Sequence, residues 1–512
     1  MRYFVGLDNG GTTTKAVLYT QDGEEAGSAS IDTAVATPRP GFTERDMDEM
    51  WQANCAILKR VISDSQVNPA DIAGVAVCGH GKGLYLWGKD GKPAYRGIIS
   101  TDNRAWEYVE RWKQEGTEQA VFKLSCQHIL ACQPVALLAW LRDHEPAVLV
   151  NVRWIFECKD YIRFRLTGNP MAEITDYSGA NFVNLETGQY DRRLMSLFGL
   201  EDLSDALPPL CNSTDVCGHI TEEVAALTGL AAGTPVAGGM FDIDACALAV
   251  NVVDDTHICM IAGTWSINES PSKAPVRDGS VLMNSFFCIP GLYLLEESSA
   301  TSAGNLEWFI NSLLPELKAN KNERHENLFD ELNAWVGSIP AAEFCPIFLP
   351  FLMASNVHPN AKASFVGLSS YHSRKHLVRS IYEGIAFCHR YHLEKLLKAR
   401  GNNPESIRLA GGVANSAVWS QMFADVMQLP VETVAVREAG ALGCAMSAAV
   451  AVGLYRNLGE AAAKMTRIKS AFYPLAENVP AYERKYALYL KVIRSLDNVW
   501  SDMQTMIDST HR

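Results

Sequence analysis

Tyr3-Phe4-Val5-Gly6-Leu7-Asp8-Asn9-Gly10-Gly11-Thr12-Thr13-Thr14-Lys15-Ala16-Val17-Leu18-Tyr19 stands near the start of the chain. The pattern is an apolar strand, one carboxylate at its end, a Gly-Gly turn, a hydroxyl-rich corner and a second apolar strand. Phosphoryl transfer from a nucleotide needs such groups together. N–H and hydroxyl donors face phosphate oxygens, and a carboxylate serves a divalent metal. Glycine lets the backbone approach an anion with no Cβ in between. An ordinary hairpin with a glycine turn fits the same residues, so this stretch alone leaves both readings open.

Outward from it, β-branched apolar runs predict strands at 3–8, 14–19, 72–78 and 84–87. Helical periodicity covers 46–62, with Asp46 as the cap, and then 104–115, 135–144 and 157–166. The mixture predicts an α/β fold. Gly229-Leu230-Ala231-Ala232-Gly233-Thr234-Pro235 closes the first half, and a helical stretch at 243–251 runs into polar Asn251–Asp255. The seam is placed near 252, giving expected lobes 1–252 and 253–512. His257–Ile267 then repeats the strand, Gly-Thr turn and strand of the opening, either as a second related lobe or as a chance likeness of two hairpins. A short strand at 406–410 enters Gly411-Gly412-Val413-Ala414-Asn415-Ser416 and a helix from Ala417 to Met427. This is a nucleotide-binding corner or a plain packing turn. The Ala/Gly-rich stretch 439–452 suits a helix packed closely on a sheet.

At 512 residues the chain is too long for one ordinary core. Hydrophobic residues at 48% and charged residues at 20% are an ordinary globular composition. The net charge of -13 disfavours nucleic acid and anionic membranes as partners, so a bound polyanion needs local donors and metal. The 13 cysteines are scattered with no CxxC pair, which argues against a disulfide framework or zinc and for a reducing cytoplasm. Met1-Arg2 leads directly into a strand, and no apolar run reaches membrane-spanning length. Neither a signal peptide nor a membrane span is expected.

Acidic residues also follow the glycine pair of Gly238-Gly239-Met240-Phe241-Asp242. A carboxylate there stands at the carboxyl end of a strand, where α/β enzymes place reacting groups. It is equally placed to cap the helix that follows.

Taken together the residues resemble the FGGY carbohydrate kinases of the actin-like ATPase superfamily, over essentially the whole chain. Ala363-Ser364-Phe365-Val366-Gly367-Leu368 followed by His376-Leu377-Val378-Arg379-Ser380-Ile381-Tyr382-Glu383-Gly384 is similar to the C-terminal signature of that family. Pro134–His144 resembles the looser N-terminal signature, with Leu137 where lysine is usual. Pro40–Asp46 with Trp51, Lys159-Asp160-Tyr161 and Leu166-Thr167-Gly168 resemble further family segments. The resemblance implies two actin-like (ribonuclease H-like) lobes around an ATP/sugar cleft, the first lobe for sugar and the second for ATP.

The resemblance also implies roles. Asp8 would orient Mg²⁺ through water, and Gly10, Gly11, Thr12 and Thr13 would line the phosphates. Gly11 stands where most members carry Thr or Ser, which leaves more of the holding to backbone donors. Gly263 and Thr264 would clamp the transferred phosphoryl, and Gly411, Gly412 and Asn415 the adenosine end. Asp242 would be the general base, with Asp244 its nearest competitor. On the sugar side, His80, Gly81 and Lys82 form a turn similar to the family's substrate turn, and Asp102 resembles its hydroxyl acceptor. Gly-Lys-Gly in that turn, Ile243 in place of the usual amide, and Ala300–Phe309 are most similar to the L-xylulose kinase branch. The expected activity is ATP-dependent phosphorylation of a pentulose at its terminal hydroxyl, L-xylulose first. D-xylulose, ribulose, glycerol and a tetritol are the alternatives, and a non-catalytic actin-like ATP-binding protein is the rival from another class. A homodimer is an allowed state.

Overall fold

The computed structural model describes residues 1–263, 265–323, 326–353 and 355–510. Thr264, expected at a phosphate clamp, lies outside the described residues. Contacts divide the chain into two units. One comprises Met1–Asp254, Pro271–Leu295 and Val436–Arg467, and the other Asp255–Ser270, Glu296–Ala435 and Ile468–Arg512. These units are not colinear with the two halves expected from the sequence, because 271–295 and 436–467 pack with the N-terminal residues.

The first unit is built on a mixed sheet. Strand β1 (Tyr3–Asn9) pairs antiparallel with β2 (Thr13–Thr20), which pairs antiparallel with β3 (Glu25–Asp32). On its other side β1 pairs in parallel with β4 (Ile72–Gly79). Alternating Val5, Leu7, Val75 and Val77 are buried against the helix Met47–Ser65, which is capped by Asp46 accepting from the N–H groups of Asp48 and Glu49. On the opposite face lies the small-residue helix Ala439–Ala451. Its fit depends on missing side chains. A Cβ on Gly6 would stand 1.9 Å from the Ala441 carbonyl oxygen, and one on Gly443 would stand 2.3 Å from that of Ala245. That closeness is what the Ala/Gly composition makes possible.

The second unit repeats the plan. His257–Ala262 and Ser266–Ser272 form an antiparallel hairpin, and the first of these strands pairs in parallel with Ser406–Ala410. Val431–Val434 follows in parallel and Ile468–Phe472 antiparallel. The echo between 3–19 and 257–267 is therefore one of pairing topology as well as of residues. The long helix Arg374–Arg400 carries the second half of the C-terminal signature. Arg379 pairs with Glu383 at 2.9 Å, Lys485 reaches the same carboxylate at 2.8 Å, and a Cβ on Gly384 would meet the Phe348 carbonyl oxygen at 2.4 Å. The signature is thus largely a packing pattern.

Candidate active site

Three parallel strand ends lie side by side in the first unit. Asp8 stands opposite Cys78, and Cys78 opposite Met240; the next rung is Asn9, Gly79 and Phe241. The register carries Asp8, the turn from His80 to Gly83 and Asp242 to the same edge of the sheet, the carboxyl ends of its strands. Asn9 ties the first two together, its carbonyl accepting the His80 N–H at 3.0 Å.

The Gly10–Gly11 turn is closed by Gly10 N–H donating to the Thr13 carbonyl at 3.0 Å. Buried Arg45 holds the turn by donating to the carbonyls of Gly10, at 3.1 Å, and Gly11. With those carbonyls tied to Arg45, Thr12 stays exposed, and Thr13 Oγ1 donates to Asp32 at 3.0 Å. Asn9 and Asn54 exchange amide hydrogen bonds at 3.2 and 2.8 Å beneath the turn. Asp8 is half-buried. Its pKa is raised, chiefly by removal from water, with Lys15 opposing and Glu438 adding to the rise. Lys15 itself is held by Glu438 at 2.6 Å. A Cβ on Gly440 would sit 2.7 Å from Asp8 Oδ2, so the start of the Ala439–Ala451 helix lies directly against this carboxylate.

Asp242 opens the helix Asp242–Ala249 and is half-buried. Desolvation, then the charges of Asp8 and Asp176, push its pKa well up, against Lys82 and the Ile243 N–H. The segment before it is rigidly held. Gly239 has φ 71°, and a Cβ there would lie 1.9 Å from the Val77 carbonyl oxygen. Phe241 N–H donates to Thr175 Oγ1 at 2.9 Å, and Thr175 donates to Glu173 at 2.6 Å. Asp244 is fully buried, and its Oδ1 accepts from the Cys288 N–H at 2.9 Å. Of the two aspartates, Asp242 retains solvent access.

His80 Nε2 bonds the Tyr85 hydroxyl at 2.8 Å, and burial with Arg45 nearby lowers its pKa to about 3, so the ring is neutral. Gly81 packs against the Phe241 ring and Asp176 Oδ1, at 2.3 and 2.7 Å from where a Cβ would be. Lys82 is buried at φ 63°, with its ammonium 5.4 Å from the Phe241 ring centre.

In the second unit a cavity of about 600 Å³ is lined by Gly263, Leu306, Ile310, Asn333, Tyr382, Gly412, Asn415, Ser416 and Trp419, among others. Tyr382 and Trp419 stack at 3.8 Å on one wall. Gly411 has φ 88°, and a Cβ would come 2.6 Å from the Ala262 carbonyl oxygen. Gly412 and Gly263 have open space where a Cβ would be. The cavity gathers Gly263, Gly412 and Asn415 on one apolar, aromatic-walled hollow, a shape suited to a nucleobase.

Two family models match most of the chain. The N-terminal domain of the FGGY family of carbohydrate kinases matches residues 3–249, and its C-terminal domain matches 258–452. The chain belongs to the FGGY family of carbohydrate kinases. It is 36% identical over 497 residues to the L-xylulose/3-keto-L-gulonate kinase of Escherichia coli (strain K12), covering 97% of each chain. It is 34% identical to the probable L-xylulose kinase of Haemophilus influenzae, covering 98% of this chain and 100% of that one. The structure of a xylulose kinase from Rhodospirillum rubrum superposes with TM-score 0.85 at 27% identity, over 98% of this chain and 100% of that chain. The fold is thus the two-domain α/β fold of FGGY kinases, and the protein is an ATP-dependent sugar kinase acting on a small molecule. No helix among the described residues is long and apolar enough to cross a membrane.

One expected FGGY substrate contact is otherwise engaged. The Asp102 carboxylate has no exposed surface. It accepts from Thr43 N–H at 2.7 Å, from Arg104 N–H and Nε at 2.9 Å each, and from Arg104 Nη2 at 2.8 Å. Four donors fill the lone-pair capacity of a carboxylate. Asp102 here anchors Arg104 and the Thr43 backbone.

Sequence reasoning missed two supports of the site. Arg45 was read only as part of a family segment. The second is a fully buried charge cluster behind Phe241 and Asp242. Lys159 reaches Asp160 at 2.8 Å, Asp176 at 2.9 Å and Glu173 at 3.4 Å. Arg163 reaches Asp160 at 2.6 Å and also the Gly238 carbonyl. The signal available was the Lys159-Asp160-x-x-Arg163 run itself.

Proposed function

We propose that this FGGY kinase transfers the γ-phosphoryl of ATP to the terminal hydroxyl of a pentulose, L-xylulose first, with Asp242 as general base. The observation that carries the reading is the convergence of Asp8, the His80–Lys82 turn and half-exposed Asp242 on one sheet edge. The substrate choice rests on the named activities of its relatives in Escherichia coli and Haemophilus influenzae.

In this reading the sugar lies along His80, Gly81 and Lys82 with its terminal hydroxyl at Asp242. Asp242 accepts the hydroxyl proton as the oxygen attacks phosphorus, and its raised proton affinity favours that transfer. Neutral His80 donates or accepts one hydrogen bond, fixed by Tyr85. Gly10 to Thr13 line the phosphates, Gly263 and Thr264 clamp the transferred phosphoryl, and Gly411, Gly412 and Asn415 cradle the adenosine end. The donor set fits Mg²⁺. An ion of this kind is held by one or two carboxylates together with phosphates and water. Asp8, beside Asp242, is a carboxylate whose ionisation a cation would favour. Asp8 would hold the ion, through water, and the ion would supply charge neutralisation at the phosphates.

The test is ADP release with ATP and Mg²⁺ over a panel of L-xylulose, D-xylulose, ribulose, 3-keto-L-gulonate and glycerol. L-xylulose is expected to give the highest kcat/KM. No sugar-dependent ADP release from any of them would overturn the mechanism, and a higher kcat/KM for another member would replace the substrate.

A further inference from the structure

One wall of the hollow in the second unit is formed by Asn333, Tyr382, Ser416 and Trp419. Nearly all of its side-chain donors are spent inside the protein. Trp419 Nε1 donates to the Tyr382 carbonyl at 3.2 Å, and the Trp419 N–H donates to Ser416 Oγ at 3.1 Å. The Tyr382 hydroxyl donates to Asn333 Oδ1 at 3.2 Å, and the Ser416 hydroxyl donates to the same oxygen at 2.7 Å. Asn333 Nδ2 is the exception. It carries two N–H groups and makes no hydrogen bond among the described residues.

The neighbours of that amide fix which way it points. Oδ1 accepts both hydroxyl protons, and neither has another acceptor among the described residues. A reversed amide would leave both protons unpaired. Asn333 is half-buried on the helix Leu328–Gly337 and lines the cavity of about 600 Å³ directly. The hollow therefore meets a donor held in one orientation. Its apolar, aromatic wall gives contact area to any flat ring, and a fixed donor among such surfaces sets which ring fits and how it is turned.

We infer that Asn333 reads the nucleobase of the phosphoryl donor, its Nδ2 donating to an unprotonated ring nitrogen of adenine. The inference rests on the reading of this hollow as the adenosine end. A ring nitrogen offers the lone pair that an amide N–H needs, and a site built around such a bond rejects a ring that lacks it. Tyr382 and Ser416 hold the amide in place, and Asn333 makes the contact. Its influence falls on the nucleotide and leaves the sugar untouched.

The test pairs two variants with analogues of ATP. Asn333→Asp keeps the acceptor for Tyr382 and Ser416 and removes both N–H groups. Asn333→Leu removes them without adding charge. The 1-, 3- and 7-deaza analogues of ATP each carry C–H in place of one ring nitrogen. With the wild-type protein one analogue is expected to show a KM about tenfold above that of ATP, which identifies the nitrogen. Asn333→Asp is expected to raise the ATP KM about tenfold or more. It should leave the L-xylulose KM within about twofold and not lower the Tm of the unliganded protein. In both variants the penalised analogue should bind no worse than ATP, because the bond it lacks is already gone. An unchanged ATP KM in Asn333→Asp, equal KM values for ATP and all three analogues in the wild type, or an analogue penalty that survives in both variants would overturn the inference. The analogue series on the wild type decides even where a variant does not fold. Gly412→Leu separates the inference from the reading beneath it. An ATP KM raised by Gly412→Leu and unmoved by Asn333→Asp removes Asn333 alone. An ATP KM unmoved by either removes the hollow as the nucleotide site.

Discussion

The two hairpins, β1–β2 and 257–272, share a topology and differ in chemistry. In each, the first strand pairs antiparallel with the next and parallel with a later strand ending in glycines. The first hairpin ends on Asp8, and its neighbours supply His80, Lys82 and Asp242. The second ends on Ala262 and Gly263, and its neighbours supply Tyr382, Trp419 and open glycine backbone. One strand plan thus carries a charged edge suited to proton and metal work and an aromatic hollow suited to a flat base. Topology fixes where a ligand meets a sheet, and the residue after the last apolar one fixes what that ligand is.

That contrast can be broken most severely at Asp242. Asp242→Asn is expected to lower kcat by about 10² to 10⁴-fold with both substrates still bound, read by steady-state rates and calorimetry. Near-normal turnover would dissolve the catalytic character of the first edge. Gly440→Ala comes next, because its methyl would press on Asp8 Oδ2. A displacement of that size costs about 10²-fold in rate, with a raised Mg²⁺ requirement. Gly412→Leu sharpens the other side. Open space at Gly412 lets leucine enter the hollow, raising the ATP KM about tenfold, ~1.4 kcal/mol, with the sugar KM unmoved. A change in both would mean that the division of labour is wrong.

The smallest effect concerns pH. A general base at Asp242 would have to be ionised, and its pKa is raised above the ordinary 3.8, so kcat/KM is expected to fall as pH drops through that higher value. Lys82 opposes the rise, so Lys82→Met moves the acidic limb to higher pH. His80, neutral above about pH 3, contributes no limb at neutral pH, and His80→Asn leaves the shape of the profile unchanged.

The strand ends were legible because each is a short apolar run cut off by glycine, a local signal. β1, β2, β4 and 406–410 all lie within a residue or two of where the pattern puts them. Asp46 was legible as a cap for the same reason. What escaped was long-range. Asp102 before Arg104 reads equally as a ligand or an anchor, and only the four donors converging on it decide. The Lys159 cluster reads as a solvated helix face until Glu173 and Asp176 arrive from another segment. The packing of 436–467 with the N-terminal sheet is likewise invisible to local pattern.

That last feature has a temporal meaning. The helix Ala439–Ala451 covers the face of β1 that Gly6 leaves bare, yet it is made long after Asp254 has left the ribosome. At ordinary elongation rates the nascent first unit waits about 10 to 40 s for its missing wall. Through that interval its sheet stays half-covered, a natural client for a holding chaperone, and the Asp8 carboxylate meets its neighbour Gly440 only as translation nears its end.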